Sequence, residues 1–406
     1  MDKIISPGSR RFHELDSLRG LAAFMVVIHH FYVAEGLETY NRLSHSALRF
    51  LVMGNEAVML FFVLSGFVLA LPYERRQGLS YGGFIVKRIC RIYLPYLGAV
   101  ALAVTMNSFY HGLATNVPWI GQTWYRKPNV GIVIQHVLFL GNYDWNALNS
   151  AFWSLIYEMR ISLVFPLLAI AVFRFRARWM LIFAVVLSLS ARPLSYAFCS
   201  LFGLDPGSIT VLLNAETLHY TAFFILGAVL ARYREVTRER FMRLPAIAVA
   251  GLFIAAAVLY FHPYHSYSLG TPLLFDRQVE QWSVAIGAVT IITLALSSER
   301  FQRILHYPAV RYLGKISYSL YLVHVTVLFS LIYIFHGAVN LKILPLYLGG
   351  SLGLASIFWY LVERPAMLLG QRLGVRFRGF SGRRVEVLAD RAELEPPMQR
   401  ALATDN

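Results

Sequence analysis

The sequence from position 17 to position 34 is SLRGLAAFMVVIHHFYVA, and this stretch decides the fold class. It is almost wholly apolar, and a helix that crosses a bilayer needs roughly 20 mostly apolar residues. Ten runs approach that length, at about 17–34, 48–71, 92–110, 151–173, 179–203, 217–231, 244–261, 279–297, 317–336 and 343–362. The sequence therefore predicts an all-α polytopic bundle of about ten transmembrane helices.

The composition points to the same class. Hydrophobic residues make up 57% of the chain and charged residues 15%, whereas a soluble domain carries about 25% charged residues. Lipid is therefore the expected solvent for much of the surface. The two cysteines, Cys90 and Cys199, cannot form a disulfide framework and lack a neighbouring His or Cys at metal-binding spacing. We expect both in the core and predict no metal site.

The basic residues predict the orientation. The chain has 37 Lys and Arg residues and a net charge of +15. Most of them fall in alternate connections, on the side of the N-terminus, as the positive-inside rule requires of cytoplasmic segments. The opposite connections hold only Arg42, Arg49, Arg126, Lys127, Arg277 and Lys342. Both termini are therefore predicted to be cytoplasmic. The positive charge is explained by the orientation of the protein in the membrane rather than by nucleic-acid binding.

Three segments are predicted along the chain. Residues 1–14 form a cytoplasmic N-terminus, 15–365 a transmembrane domain, and 366–406 a cytoplasmic tail that is first basic and then disordered. No internal repeat and no secretory signal peptide is evident. A phosphate-binding loop of the type GxxxxGK[ST] is missing from the sequence, so the chain by itself is not an ATP-driven pump.

Ionisable residues inside membrane spans are rare and indicate functional sites. Those predicted within spans are His29, His30, Glu56, Glu158, Arg160, His219 and His324, and Glu363 ends the last span. Arg19 and His30 are eleven residues apart, so they return to within about 20° of one helical face, roughly 16 Å apart along the axis. His29 points about 80° aside. The alternative is that Arg19 binds lipid headgroups and His30 bonds a neighbouring helix.

Two further groups lie near span ends. Arg88 and Arg91 are three residues apart at the predicted cytoplasmic entrance of the third span, where two guanidinium groups suit phosphate. An anchoring role at the membrane surface is the alternative. Glu158 lies one turn into the fourth span, after Trp153 and Ser154. Its predicted partner is His30, Arg160 or another helix, and spacing does not decide among them.

A polar stripe follows in the ninth span. Ser317, Tyr321 and His324 recur at helical spacing and line one face, which faces either a polar cavity or a packed neighbour. The long outer connection, residues 111–150, is rich in aromatic residues. These are Trp119, Trp124, Tyr125, Tyr143 and Trp145. They are typical both of an interfacial belt and of surfaces that stack on sugar rings.

Together these features resemble the membrane-bound acyltransferase family 3. The similarity runs from about Phe12 to Pro365. It rests on LDSLRGLAA at 15–23 followed by His30, on LFFVLSGF at 60–67 with Ser65, on RICR at 88–91, on WSLIYE at 153–158, on Ser319, Tyr321 and His324, and on ERP at 363–365. In one departure, Met59 precedes the LFF run where members often carry an acidic residue, and Glu56 lies one turn earlier.

The resemblance implies a multi-pass protein of the bacterial inner membrane that O-acylates carbohydrates. It implies acyl-CoA, most simply acetyl-CoA, as the cytoplasmic co-substrate, and a hydroxyl of a surface or lipid-linked sugar as the acceptor. The implied catalytic residues are His30 as general base and Glu158, with Arg19, Arg88 and Arg91 on the donor. Further polar candidates are Glu56, Ser65, Trp153, Ser154, Ser317, Ser319, Tyr321, His324 and Glu363.

The rival hypothesis is a transporter or flippase of a glycan or lipid-linked sugar, with the same polar residues along its path. Such proteins often show inverted repeats or paired helices broken by Gly and Pro, which this sequence does not show. The rival also needs no pair of arginines at the cytoplasmic mouth.

Overall fold

A computed structural model describes residues 12–74, 80–112, 118–139, 144–203, 209–261, 274–337 and 339–374. The α-helices in these ranges are α1 (His13–Glu35), α2 (Leu37–Ser44), α3 (Gly54–Glu74), α4 (Tyr81–Arg88), α5 (Leu94–Phe109), α6 (Pro118–Gln122), α7 (Val130–Leu138), α8 (Trp153–Arg174), α9 (Ala177–Leu201), α10 (Ile209–Met242), α11 (Ala246–Phe261), α12 (Leu274–Ser297), α13 (Glu299–Leu305), α14 (Pro308–Ile334) and α15 (Leu344–Phe358). A further α-helical stretch covers 364–374. The described residues contain no strand, and the all-α prediction is confirmed.

Within the described residues, eight helical stretches are long and apolar enough to cross a membrane. They are His13–Glu35, Gly54–Glu74, Tyr81–Phe109, Ser150–Arg174, Ala177–Leu201, Gln278–Ser297, Pro308–Ile334 and Leu344–Gly374. The other two predicted runs are also helical, within α10 and within α11, which has only 16 residues. The count of ten spans and the orientation stay predictions. The predicted disordered tail beyond 374 and most of the N-terminal segment lie outside the described residues.

The second predicted run is not one straight helix. Residues Arg49–Val52 form a 3-10 turn, and α3 begins only at Gly54. A Cβ on Gly54 would lie 2.5 Å from the ring of His29, so the helix start needs a glycine to approach α1. Glu56 then lies in the first turn of α3, where a carboxylate is favoured by the helix dipole.

Two spans contain a π-helical turn, a feature that often marks functional sites. One, Ile89–Tyr93, joins α4 to α5, and the other, Trp359–Glu363, follows α15. The two spans touch, because a Cβ on Gly370 would lie 2.7 Å from the Cβ of Cys90. Arg91 and Glu363, both singled out in the sequence, are therefore carried by these irregular turns.

Glycines set the close helix crossings. A Cβ on Gly20 of α1 would lie 2.3 Å from the backbone nitrogen of Gly314 in α14. Between α3 and α10, a Cβ on Gly227 would lie 2.0 Å from the carbonyl oxygen of Val63. Small residues allow such backbone contact between membrane helices. The crossing of α1 with α14 fixes the relative position of the histidines on these two helices.

Candidate functional site

Two histidines meet where α1 and α14 lie side by side. His30 is ten residues beyond Gly20, and His324 is ten residues beyond Gly314. Ten residues advance each helix by about 15 Å. Because the glycines are in contact and both helices run the same way, the histidines come together, with His324 Nε2 3.2 Å from His30 Nδ1. Their ring centres are 5.0 Å apart.

Each ring also contacts a carbonyl of its own helix. His30 Nδ1 is 2.9 Å from the oxygen of Val26, and His324 Nδ1 is 3.0 Å from the oxygen of Leu320. His324 is fully buried, whereas His30 is partly exposed. His30 Nε2 has no hydrogen-bond partner in the described part of the chain. One nitrogen of His30 is therefore open to a bound molecule.

The adjacent His29 is held differently. Its Nδ1 is 2.7 Å from the oxygen of Val52, and its ring packs against Gly54. The prediction that His29 and His30 point in different directions agrees with this arrangement. His29 contacts the loop before α3, and His30 contacts α14.

Aromatic and hydroxyl groups complete the surroundings of the histidine pair. The Trp119 ring lies 5.4 Å from the His30 ring, and the Tyr321 ring lies 5.9 Å from that of His324. The Tyr321 hydroxyl donates to the oxygen of Ala151 at 3.0 Å. Since that hydroxyl has one proton, Ser154 Oγ, at 2.7 Å, is the donor to Tyr321. The stripe residue Tyr321 thus joins α14 to the start of α8, next to His324.

Glu158 does not take the position beside His30 that the sequence analysis considered. Its Oε1 accepts from Arg88 at 2.9 Å and from Ser65 at 3.3 Å. Arg88 also donates to Ser162 Oγ at 2.9 Å. Glu158 lies a full turn beyond Ser154 along α8, and its side chain reaches α4 rather than α1. The third alternative, a partner on another helix, is the one found.

The three candidate arginines lie in different environments. Arg88 is buried, and its Nε has no partner among the described residues. Arg91 is exposed, because the π-helical turn that begins at Ile89 changes the rotation expected for regular α-helix. Arg19 makes a weak ion pair with Asp16 at 3.8 Å and lies within electrostatic range of both other arginines.

The closing motifs of the sequence form a separate contact. Glu363 Oε2 accepts from Ser319 Oγ at 2.5 Å and from its backbone N–H at 3.2 Å. The charge of Arg91 also acts on Glu363. Ser317 donates to the oxygen of Gly314 on its own helix at 3.1 Å. Ser319 and Glu363 therefore tie α14 to the last span beside the arginine cluster.

Other polar candidates lie away from the histidine pair. Glu56 accepts from Arg49 at 2.8 Å, next to a cavity of about 530 Å³ lined by Ser44, His45, Ser46, Ala47, Arg49, Phe50 and Phe261. Trp153 packs against Tyr157 with ring centres 5.8 Å apart, and Arg160 donates to Thr217 at 3.4 Å. Cys90 and Cys199 are buried free thiols.

His219 belongs to a second buried cluster between α9, α10 and α12. Its Nε2 is 2.8 Å from Gln281 Oε1, and its Nδ1 is 2.6 Å from Ser188 Oγ. Trp282 Nε1 donates to the same serine oxygen at 2.9 Å. Because Gln281 Oε1 only accepts, His219 donates from Nε2 and accepts at Nδ1. Both nitrogens of this ring are thus occupied by protein groups.

The sequence did not identify Trp119 as a member of the site, and it did not pair His30 with His324. Trp119 was one of several aromatic residues in a long connection, and nothing in its spacing linked it to His30. The pairing of His30 with His324 had a signal, the equal ten-residue spacing from Gly20 and from Gly314. Over the described ranges, no three His, Cys, Asp or Glu residues are grouped so as to hold a metal ion.

The model of a known protein family matches most of the chain. The family model described as an acyltransferase domain, of the acyltransferase 3 family, matches residues 12–362. No curated protein and no solved structure matches the chain. The matched range contains the histidine pair, the three arginines and Glu158.

Proposed function

The chain belongs to the acyltransferase 3 family, and from that premise we propose that it moves an acyl group, acetyl in the simplest case, from cytoplasmic acyl-CoA to a hydroxyl of a cell-surface or lipid-linked carbohydrate. It is a multi-pass membrane protein with an acyltransferase domain. The observation that carries the proposal is the open Nε2 of His30 within a buried polar site that also holds His324.

His30 is proposed as the general base. A sugar hydroxyl has a high pKa, and a neutral imidazole within hydrogen-bond reach can accept its proton during attack. The hydroxyl oxygen forms a bond to the thioester carbonyl carbon, and its proton passes to His30 Nε2. The carbon–sulfur bond then breaks, and the CoA thiolate leaves and receives that proton from His30, which becomes neutral again. Atoms and charge balance without another reactant.

The arginine cluster supports the choice of donor. Arg19, Arg88 and Arg91 lie near one another at the predicted cytoplasmic end. Acyl-CoA carries several phosphate charges, which guanidinium groups bind well. Glu158 neutralises Arg88, so exposed Arg91 and partly exposed Arg19 are the cations that remain for phosphate. Arg88 holds Glu158 and the neighbouring helices in place.

Trp119 supports a carbohydrate as the acceptor. Its ring lies beside the His30 ring, and an indole combines a broad apolar face with one N–H donor. That combination suits a sugar, which has an apolar ring face and polar edges. The proposed acceptor sugar would lie against this indole, with its hydroxyl within reach of His30 Nε2.

Mass spectrometry of surface glycans tests the proposal. Three cell lines would be compared, with the wild-type protein, with the His30→Ala variant at equal membrane abundance, and without the protein. We expect an acyl ester on a surface or lipid-linked glycan only with the wild type. Glycans that are identical in all three lines, together with no release of free CoA thiol by the purified wild type, would contradict the proposal.

A further inference from the structure

The bonding of the two histidines determines which nitrogen of each ring carries the proton. A backbone carbonyl oxygen can only accept a hydrogen bond. His30 Nδ1 faces the oxygen of Val26 at 2.9 Å, and His324 Nδ1 faces the oxygen of Leu320 at 3.0 Å. In the neutral state each ring therefore carries its hydrogen on Nδ1. The opposite tautomer would place a lone pair against a carbonyl oxygen in both rings.

The contact between the rings then has a fixed direction. His324 Nε2 carries a lone pair and accepts a hydrogen bond from His30 Nδ1, which is 3.2 Å away. The hydrogen on His30 Nδ1 is thus shared between His324 Nε2 and the oxygen of Val26. This leaves His30 Nε2 as the unprotonated nitrogen. It is also the atom of His30 that has no partner in the described part of the protein.

We propose that His324 is a positioning residue that holds His30 in the tautomer whose Nε2 is the base. This inference rests on the proposed function, since it assigns a role to His324 in that reaction. The neighbour of a catalytic histidine sets its tautomer and orientation through the second ring nitrogen. Here that neighbour is another imidazole, whereas a catalytic triad uses a carboxylate.

The pairing also stabilises the charged state. When His30 Nε2 takes the hydroxyl proton, the ring becomes a cation, and its Nδ1–H bond to His324 becomes charge-assisted and stronger. No proton needs to move to His324. A neutral acceptor avoids placing a carboxylate in the apolar interior, where an unpaired charge is costly. Among the described residues, His29 is the one other histidine that packs on His30, and its Nδ1 bonds Val52.

Kinetics of full-length protein in nanodiscs test the role of His324. In His324→Leu the acceptor is lost, and we expect kcat to fall on the order of 10²-fold while KM for acyl-CoA stays within about twofold. In His324→Gln the side-chain oxygen can accept from His30, and we expect at least about tenfold recovery over His324→Leu. A His324→Gln variant as slow as His324→Leu, with both folded, would overturn the inference.

A spectroscopic measurement on the wild-type protein tests the tautomers independently of the kinetics. Protein labelled with ¹⁵N-histidine would be studied by NMR in nanodiscs, and the His30 and His324 signals assigned by their loss in His30→Ala and His324→Leu. We expect Nδ1 of both rings to be protonated and Nε2 of both to show the shift of an unprotonated nitrogen. A proton on Nε2 of His324 would overturn the inference.

The outcomes separate this inference from the proposed function. If wild type shows no acyl transfer, or His30→Ala is as active as wild type, the proposed function itself fails. If His30→Ala is inactive while His324→Leu keeps the wild-type kcat, only the role of His324 fails.

Discussion

Two histidines of the helical bundle, His30 and His219, differ in how their ring nitrogens are bonded. His219 bonds Gln281 through Nε2 and Ser188 through Nδ1, and Ser188 is in turn fixed by Trp282. His30 shares one N–H between a carbonyl and His324 and leaves Nε2 open. Because histidines are rare within membranes, each one suggests a function. Only the bonding of both ring nitrogens distinguishes a histidine that can act as a general base from one that only joins neighbouring helices.

The largest effect tests this comparison directly. His30→Ala should lower acyl transfer by roughly 10²–10⁴-fold, because it removes the proposed base. His29→Ala should be tolerated better, since His29 Nδ1 bonds the loop at Val52 rather than the other histidine of the pair. Transfer would be assayed on purified variants at matched amounts. If His29→Ala were inactive and His30→Ala active, the assignment of the base would be wrong.

The second prediction concerns the contact that brings the histidines together. Gly20→Val would force α1 away from the backbone of Gly314, at a cost of typically 1–3 kcal/mol for overpacking. We expect a lower midpoint of thermal unfolding and at least about tenfold lower kcat, because a small shift of catalytic groups is costly.

Gly353→Val is the matched control, since a Cβ there would meet nothing within 4 Å. It should keep both the unfolding midpoint and kcat. Equal activity of Gly20→Val and Gly353→Val would show that the glycine contact does not set the histidine pair.

The third prediction extends the comparison from histidines to arginines. Arg91 is exposed, so Arg91→Gln should raise KM for acyl-CoA by about tenfold or more, the loss of a charged hydrogen bond being worth on the order of 1.5–3 kcal/mol. Arg88→Gln should instead lower the unfolding midpoint, because it leaves the Glu158 carboxylate unpaired. The double variant Arg88→Gln/Glu158→Gln should regain most of that stability. Unchanged KM in Arg91→Gln would make Arg91 a membrane anchor.

The smallest effect is expected at His219. His219→Leu leaves Ser188 and Gln281 without their partner, which costs about 1–3 kcal/mol of stability for unsatisfied groups. Its kcat, measured at a temperature where the variant is folded, should equal that of wild type. A drop in kcat comparable to that of His30→Ala would place His219 in the reaction and abolish the distinction drawn here.

Much of the site was predictable from local spacing. The eleven-residue interval predicted that Arg19 and His30 are separated along the helix axis by about half the membrane thickness. Helical rotation predicted that the His29 side chain points away from that of His30. The stripe of Tyr321 and His324 followed from helical periodicity. Spacing could not select a partner for Glu158. In the structure Glu158 pairs with Arg88, because helix α8 turns the Glu158 side chain toward α4.

The sequence by itself determined the membrane helices, since a continuous apolar run can satisfy its backbone in lipid only by forming a helix. It also predicted which polar residues lie within these helices. Only the tertiary structure decided which of them meet. His30 and His324 are far apart in the chain, as are Ser319 and Glu363. Their contacts depend on which helices lie side by side and in what register, and glycine contacts such as that of Gly20 with Gly314 set the register. No periodicity within one helix contains that information.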